Sequence, residues 1–544
     1  MAHRRSTDLP LQARKGVELL LRTVGQAPEQ RSSRRLRDRL PMVDADNGPK
    51  VLILSPRDWS SIVQYDSVIG HGLQLRGARV TMATCGGGLE ICDRANTYEA
   101  PPMPCTTCSR YTSVSLGAHG FDVRSLNDYW TDDDGGAWPE LDEMTAAELV
   151  GAEAEGLPLG QLADIPVKWF LCAANLADDP LAGKTARAFL RSARRIARAM
   201  DQLLDDVQPD HVLVLNGLFL FEAILWARCR QRGIDVITYE RSFRRETLVM
   251  HRGVPAGLYD FSSVWADNDR ALESSEAAEL DAYLASRREG SAFDQQWSWR
   301  PNELTRSGGK LAVLFTNLTW DTAVIGRDLV FEDIEAWVTH AIEFFARRPE
   351  DELVVRVHPA EVALPGQRTR DSLYRVIKDR FPDLPPNVRV IAPDDTVTSY
   401  PLMDACDVGL VYTSTTGLEL ALNGKPVLTA GETHYRSKGF TLDPTTVDEF
   451  DAMLTAALDD PSGHQADVER ARRYAHFFFF RAPIDAPGVA EPAKGLARLT
   501  TENPSDLMPG ANPGLDRICR GILDGVPFVG PEAPVPTSAV TSAG

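Results

Sequence analysis

Short apolar runs that end on polar or glycine-containing turns recur along this chain and alternate with stretches of helical spacing. Lys50-Val-Leu-Ile-Leu-Ser is the first run, a helical stretch reaches Leu75, and RGARVTMATC supplies a turn and a second run. Apolar runs without alternation predict strands buried on both faces, and the strand–helix–strand succession predicts a parallel, doubly wound sheet. PDHVLVLNG and GIDVITYERSF extend the pattern. Residues 286–309 lose periodicity, carry Gly and Ser, and read as a linker. Strands then resume at Lys310-LAVLFTN, ELVVRVHPAE, NVRVIAP and Val408–Tyr412, with helices predicted from Phe331 to Arg347 and over 470–480. The fold class is therefore α/β, with two doubly wound, Rossmann-like domains. The organisation read is an extension over 1–48, an N-terminal domain over 49–285, the linker, a C-terminal domain over 310–480, and a return segment with a tail over 481–544. The last 15 residues have the composition of a disordered segment.

In such sheets ligands sit beyond the carboxyl ends of the strands. Those ends carry Ser55 to Ser61, the Cys85-Gly-Gly-Gly turn, Asn216-Gly217 and Tyr239-Glu240-Arg241 in the first half. In the second half they carry Asn317, Trp320 and Asp321, then Arg356, His358, Pro359 and Glu361. The most informative stretch is 407–441. Its strand stops at four hydroxyl residues, Thr413 to Thr416, and Gly417 opens a short helix with Glu419 in its first turn. Hydroxyl donors and free N–H groups at a helix start suit a phosphate, although the same residues also serve as ordinary caps.

Charge and cysteine usage narrow the function. The formal net charge of −19 argues against a general nucleic-acid binder. No stretch reads as a membrane span or a secretory signal, so a cytoplasmic location is expected. The extension is basic, and LQARKGVELLLRTV within it has the amphipathic character of a helix that can lie on an anionic membrane surface or pack on its own domain. Lys184, Arg187, Arg191, Arg194 and Arg198 recur at steps of three or four and predict a cationic helix face. Asp132-Asp133-Asp134, among Gly residues, reads as a solvated turn. Four of the eight cysteines, Cys85, Cys92, Cys105 and Cys108, are spaced C-x6-C-x12-C-x2-C. Four thiolates would make a closed structural zinc site; buried, inert thiols are the alternative.

HPAE, the TSTTGLELALNGKPV run and GETHYRSKGFT together resemble the bacterial capsule polysaccharide biosynthesis family, which includes capsule Kdo transferases, over about 310–441. The resemblance implies a GT-B fold, its two domains facing a cleft, and transfer of a sugar from a nucleotide-activated donor (CMP-, CDP-, UDP- or GDP-linked) to a surface polysaccharide or lipid-linked glycan. Catalysis without a metal cofactor is expected, with contact at the inner face of the plasma membrane as a further expectation. It implies that His358 and Ser414, Thr415, Thr416 and Gly417 hold the donor phosphate, with Glu419, His434 and Tyr435 near the donor and Asn317 and Arg356 on the same edge. His358 would stabilise charge on the departing nucleotide. Glu240 is the first candidate base for the acceptor and Asp66 the second. A CDP-linked polyol-phosphate transferase, a sugar-nucleotide epimerase and a non-catalytic glycan assembly or export factor remain as alternatives.

Overall fold

The computed structural model describes residues 28–131, 138–177, 179–289, 309–364, 366–486, 488–493, 496–501 and 503–530. A helix over 28–37 (α1) precedes β1 (Lys50–Leu54), α2 (Ser60–Gln74), β2 (Arg79–Thr84), α3 (Cys105–His119) and β3 (Asp122–Ser125). Then come α4 (Leu159–Leu171), α5 (Ala182–Val207), β4 (His211–Leu215), α6 (Leu220–Arg232), β5 (Asp235–Arg241), β6 (Thr247–Arg252) and α7 (Ser274–Arg288). Strands β1 to β5 are parallel in the order β5-β4-β1-β2-β3, and β6 adds antiparallel to β5. Alternate residues of one strand face opposite sides of the sheet. Leu52, Leu54, Val212 and Val214 accordingly enter one apolar core, and Val51, Ile53, Leu213 and Leu215 the other. Both faces are covered, which is why these strands carry no polar alternation.

The second sheet is built from β7 (Leu311–Phe315), β8 (Glu352–Arg356), β9 (Val388–Ile391), β10 (Val408–Val411) and β11 (Val427–Thr429), with α8 (Ile334–Ala346) and α9 (Thr416–Leu422) among its crossovers. All five strands are parallel, in the order β11-β10-β7-β8-β9. Ala312 and Leu314 face one core while Leu311, Val313 and Phe315 face the other. Two doubly wound sheets of this order give the GT-B layout.

The chain then returns to the first sheet. After α10 (Val468–His476), a π-helical turn over Phe477–Arg481 packs Phe477 and Phe478 against Phe261. The two-residue strand β12 (Ile484–Asp485) pairs antiparallel with β6, and β13 (Val489–Ala493) and β14 (Leu496–Leu499) form a hairpin. A last helix, α11 (Pro513–Asp524), lies where composition alone suggested only a Pro- and Gly-rich tail. It runs so close to α2 that a Cβ on Gly72 would stand 2.9 Å from Leu515 Cδ1 and 3.1 Å from Cys519 Sγ.

The cationic face expected on α5 is not an open surface. Arg187 donates to the carbonyls of Leu141 and Met144, Arg191 pairs with Glu90 at 2.7 Å, and Arg194 and Arg198 share Glu155 at 2.8 and 2.9 Å. Local acids and carbonyls already use that charge. No helix among the described residues is long and apolar enough to cross a membrane. The amphipathic segment within 11–24, the Asp132–Asp134 turn and the final 14 residues lie outside the described residues.

Candidate active site

The loop after β7 ties together the two loops that flank it. Thr316 Oγ1 accepts the His358 N–H at 2.9 Å, and Asn317 Oδ1 accepts the Thr413 N–H at 3.2 Å. Since β8 and β10 lie on either side of β7, His358 and the hydroxyl loop sit about two strand spacings, or ~10 Å, apart. His358 is half-buried. Its Nδ1 accepts the Ala360 N–H at 3.2 Å, which puts the imidazole proton on Nε2. Burial lowers its pKa to about 4, with the Arg356 charge adding to the shift. At neutral pH His358 is thus an uncharged donor whose Nε2–H has no partner among the described residues. Arg356 is 3 % exposed and makes no ion pair among the described residues; its guanidinium donates to the Ala392 carbonyl at 2.5 Å.

The hydroxyl loop is shaped from inside. Ser414 Oγ donates to Thr416 Oγ1 at 2.9 Å and accepts the Thr416 N–H at 3.2 Å, while the Gly417 N–H bonds the Ser414 carbonyl at 3.1 Å. Among the described residues the N–H groups of Ser414 and Thr415 have no partner, three and two residues before the expected helix start at Gly417. Tyr435, fully buried, donates its hydroxyl to the Ser414 carbonyl at 2.5 Å. A Cβ on Gly417 would stand 2.2 Å from that hydroxyl oxygen. Tyr435 and Gly417 thus set the loop's shape from behind.

Glu419 is already engaged. Arg287, from the last turn of α7, holds its carboxylate at 2.5 Å, so this residue braces α9 rather than standing free for a donor. His434 stacks on Phe478 at 3.9 Å, and its Nδ1 lies 3.0 Å from the Tyr474 hydroxyl. That hydroxyl gives its own proton to the His434 carbonyl at 2.6 Å, so Nδ1–H is the donor and Nε2 is bare.

In the first domain, Glu240 at the end of β5 is half-buried, accepting Asn216 Nδ2 at 3.2 Å and the Arg241 N–H at 2.8 Å. Burial raises its pKa, and a further raising contribution comes from Asp321, on the β7 loop of the second domain. Asp321 is itself raised by burial. Glu240 therefore senses the charge of a carboxyl group from the other domain. Asp66 behaves differently. It is 0 % exposed, receives the Tyr239 hydroxyl at 2.6 Å, and is pushed up to about 7 by burial. A carboxyl closed inside the α2–β5 packing cannot touch an acceptor, which removes Asp66 as a direct base.

Sequence reasoning put the Arg57 loop and Trp320 at the sheet edges but missed the ion pairs of Arg57 and the aromatic row. Arg57, 3 % exposed, grips Glu222 with two bonds of 2.6 and 2.9 Å and Asp93 with one of 2.7 Å, and Asp93 caps α6 through the Leu220 N–H. Trp59, Phe219, Trp169 and Trp320 meet edge-on at 5.3 Å steps, crossing from the first domain to the second. No sequence period links them. Beside them, Asp371 accepts the N–H groups of Ala174 and Asn175, and the Arg370 N–H bonds the Cys172 carbonyl, joining the domains along one side of the cleft.

Cys85, Cys92, Cys105 and Cys108 all line one small pocket, together with Arg57 and Arg94. The zinc expectation is nevertheless not met: among the described residues no three His, Cys, Asp or Glu side chains are placed to hold a metal ion. Burial pushes the Cys85 thiol to about 11, Cys108 to about 12 and Cys92 well above its usual value. The two arginines that could stabilise thiolates are occupied, Arg57 by Glu222 and Asp93 and Arg94 by Asp58. Cys85, Cys92 and Cys108 are thus held as protonated thiols.

Residues 303–467 match a protein family described as "Capsule polysaccharide biosynthesis protein". No curated protein sequence matches the chain. Among solved structures, the chain is similar to the Thermosulfurimonas dismutans KpsC β-Kdo 2,7 transferase at 15 % identity, covering 56 % of this chain and 85 % of that one, with a TM-score of 0.33. The β-Kdo 2,4 transferase of the same protein gives 16 % identity, 55 % and 87 % coverage and a TM-score of 0.34. The UDP-GlcNAc 2-epimerase of Neisseria meningitidis gives 12 % identity, 80 % and 97 % coverage and a TM-score of 0.26. Superpositions this loose add nothing to the fold, which rests on the strand order itself.

Proposed function

We propose that the protein is a glycosyltransferase, a reading supported by the match of residues 303–467 to a family described as "Capsule polysaccharide biosynthesis protein". It moves a sugar from a nucleotide-activated donor to a surface, capsule-type glycan. The observation that carries this reading is the neutral His358, whose Nε2–H, like the N–H groups of Ser414 and Thr415 on the neighbouring loop, has no partner among the described residues. Charge that develops on phosphate oxygen as the nucleotide leaves would meet preorganised donors there, which lower the barrier without reorganising. On the other wall Glu240, its proton affinity raised, suits removal of a proton from an acceptor hydroxyl. Asn216 and the Arg241 N–H hold that carboxylate in place. Asp66 contributes at one remove, by fixing Tyr239 next to Glu240. We further propose that the proton and charge transfers need no metal ion.

The test is nucleotide binding followed by turnover. One of CMP, CDP, UDP or GDP should raise the melting temperature, and His358→Ala should abolish that rise. The absence of a shift with all four, or a shift that His358→Ala leaves intact, would reject the donor site. Nucleotide release from the intact donor should then require an acceptor glycan and persist in chelator. Release or conversion without acceptor would favour the epimerase reading, and binding without turnover the assembly-factor reading.

A further inference from the structure

The aromatic row beside the cleft carries more ring surface than its own packing uses. Phe219 and Trp320 are 5 % and 1 % exposed, whereas Trp59 and Trp169 are half-buried, so closed and part-open rings alternate along it. The three contacts have interplanar angles of 73°, 79° and 77°. None is face to face, so no ring lies flat on either of these indoles among the described residues. Trp59 is backed by the Arg57 guanidinium, 4.8 Å from its ring centre, and Glu222 and Asp93 hold that guanidinium still. Trp169 is held between Phe219 and Trp320. Both indoles are thus fixed in position while part of each stays open to water.

The row is tied to the groups proposed to react at both of its ends. Asn216, which donates to Glu240 at 3.2 Å, also accepts the Leu218 N–H at 2.9 Å, and Phe219 is the next residue. Trp169 packs on a small cluster of Cys172, Leu318, Trp320 and Ala360. The Ala360 N–H is the group that donates to His358 Nδ1 at 3.2 Å, and Asp321 directly follows Trp320. The part-open indoles therefore lie along the span from the Glu240 side of the cleft to the His358 loop. An indole face is apolar and carries the negative side of its quadrupole. A sugar ring matches it, with a face of weakly positive C–H groups and hydroxyls at the rim that stay hydrated while the faces meet. Trp59 and Trp169 are no more than two 5.3 Å steps apart, within reach of neighbouring rings of one glycan chain.

We infer that Trp59 and Trp169 form a stacking platform for the acceptor glycan, holding sugar rings behind the terminal unit presented to Glu240. An acceptor long enough to reach both indoles is then bound more tightly than a single sugar. The inference rests on the glycosyl-transfer reading for the role of the bound glycan, but the binding itself can be read without donor or turnover.

The full-length protein is titrated by calorimetry with a panel of purified bacterial capsular polysaccharides, and with size-fractionated hydrolysates of any that binds. Affinity should rise with fragment length. Trp59→Ala and Trp169→Ala should each weaken the longer fragments about tenfold or more and the single sugar about twofold or less, while the rise in melting temperature given by nucleotide persists. Trp59→Phe and Trp169→Phe, which keep a ring, should retain most of the binding. Trp59 makes no ring contact with the second domain, so Trp59→Ala decides the case even where Trp169→Ala loosens the junction. A wild type that binds no polysaccharide of the panel, or alanine variants that bind the longer fragments as the wild type does, would overturn the platform. So would an equal loss at every length, which makes the tryptophans struts of the domain junction. Loss of nucleotide protection with glycan binding intact would assign them to the nucleotide base instead, and the platform would fall. If longer fragments bind through both tryptophans yet no donor is turned over, the transferase reading falls and the platform stands.

Discussion

Glu240 and Asp321 belong to different domains, yet the Asp321 charge adds to the burial that raises the proton affinity of Glu240. As a base Glu240 must be ionised, so activity should rise with pH through its raised pKa and the acid limb should lie above the ordinary carboxylate value of about 4.3. Asp321→Asn removes a charge that opposes this ionisation and should move the acid limb to lower pH. An acid limb that stays put in the pH profile of kcat would separate the two residues. Glu240→Gln should lower kcat by about 10²- to 10⁴-fold while nucleotide binding is retained. Behind the opposite wall, Gly417→Ala would drive a methyl group into the Tyr435 hydroxyl, and overpacking of this kind costs about 1–3 kcal/mol. The variant should melt earlier and lose nucleotide protection together, because the Tyr435–Ser414 bond that shapes the loop is the one displaced.

Among the elements, α1 shows how a polar connection can decide whether a segment docks. Glu29 Oε1 accepts Gln64, Tyr111 and Ser115 at 3.0, 2.7 and 2.9 Å, and Gln64 in turn accepts His119, which accepts His71. Burial raises Glu29 from 4.5 to about 7 and lowers His71 from 6.5 to about 4. The signs are opposite. A carboxyl raised in the folded state stays protonated while the unfolded chain ionises, so its share of stability falls as pH rises from about 4.5 to 7. The histidine held neutral gives a share that grows as pH rises from about 4 to 6.5. Glu29→Gln removes the first trend alone, so its melting temperature relative to wild type should be higher at pH 8 than at pH 5. An equal difference at both pH values would mean that Glu29 ionises normally. None of this network was legible in the sequence, because Glu29, Gln64, Tyr111 and His119 share no period; only the fold brings them together. The parallel strands were legible for the converse reason: burial on both faces leaves an uninterrupted apolar run in the sequence itself. α11 did leave a signal that its Pro- and Gly-rich surroundings masked. Asn512 caps it, Pro513 opens it, and Leu515, Ile518, Cys519 and Ile522 repeat at helical spacing.

At the scale of the whole molecule, the return segment means that the two sheets are not two independently closed units. β12 completes the edge at β6, and α11 contributes Leu515, Ile518, Cys519 and Ile522 to the core on the α2 side of the first sheet. Arg287 and Glu419 clasp α7 to α9, and the phenylalanine run after α10 packs Phe477 against both Phe261 and Trp265. Asp371, Arg370 and the Trp169–Trp320 contact add a third connection on the other side of the cleft. The candidate site therefore lies between walls joined at several separate places, which limits how far it can open. A protease site introduced between residues 289 and 309 should thus yield two fragments that co-elute on size-exclusion chromatography after cleavage and retain nucleotide protection. Fragments that part without denaturant would mean that the covalent connection, rather than these contacts, holds the cleft together. Ile522→Ala in the same cleaved protein sharpens the test. Truncating a buried isoleucine costs about 2–5 kcal/mol, and the loss should fall on the α2 side of the first sheet while nucleotide binding to the second domain survives. Were α11 only a surface appendage, the melting temperature would not move.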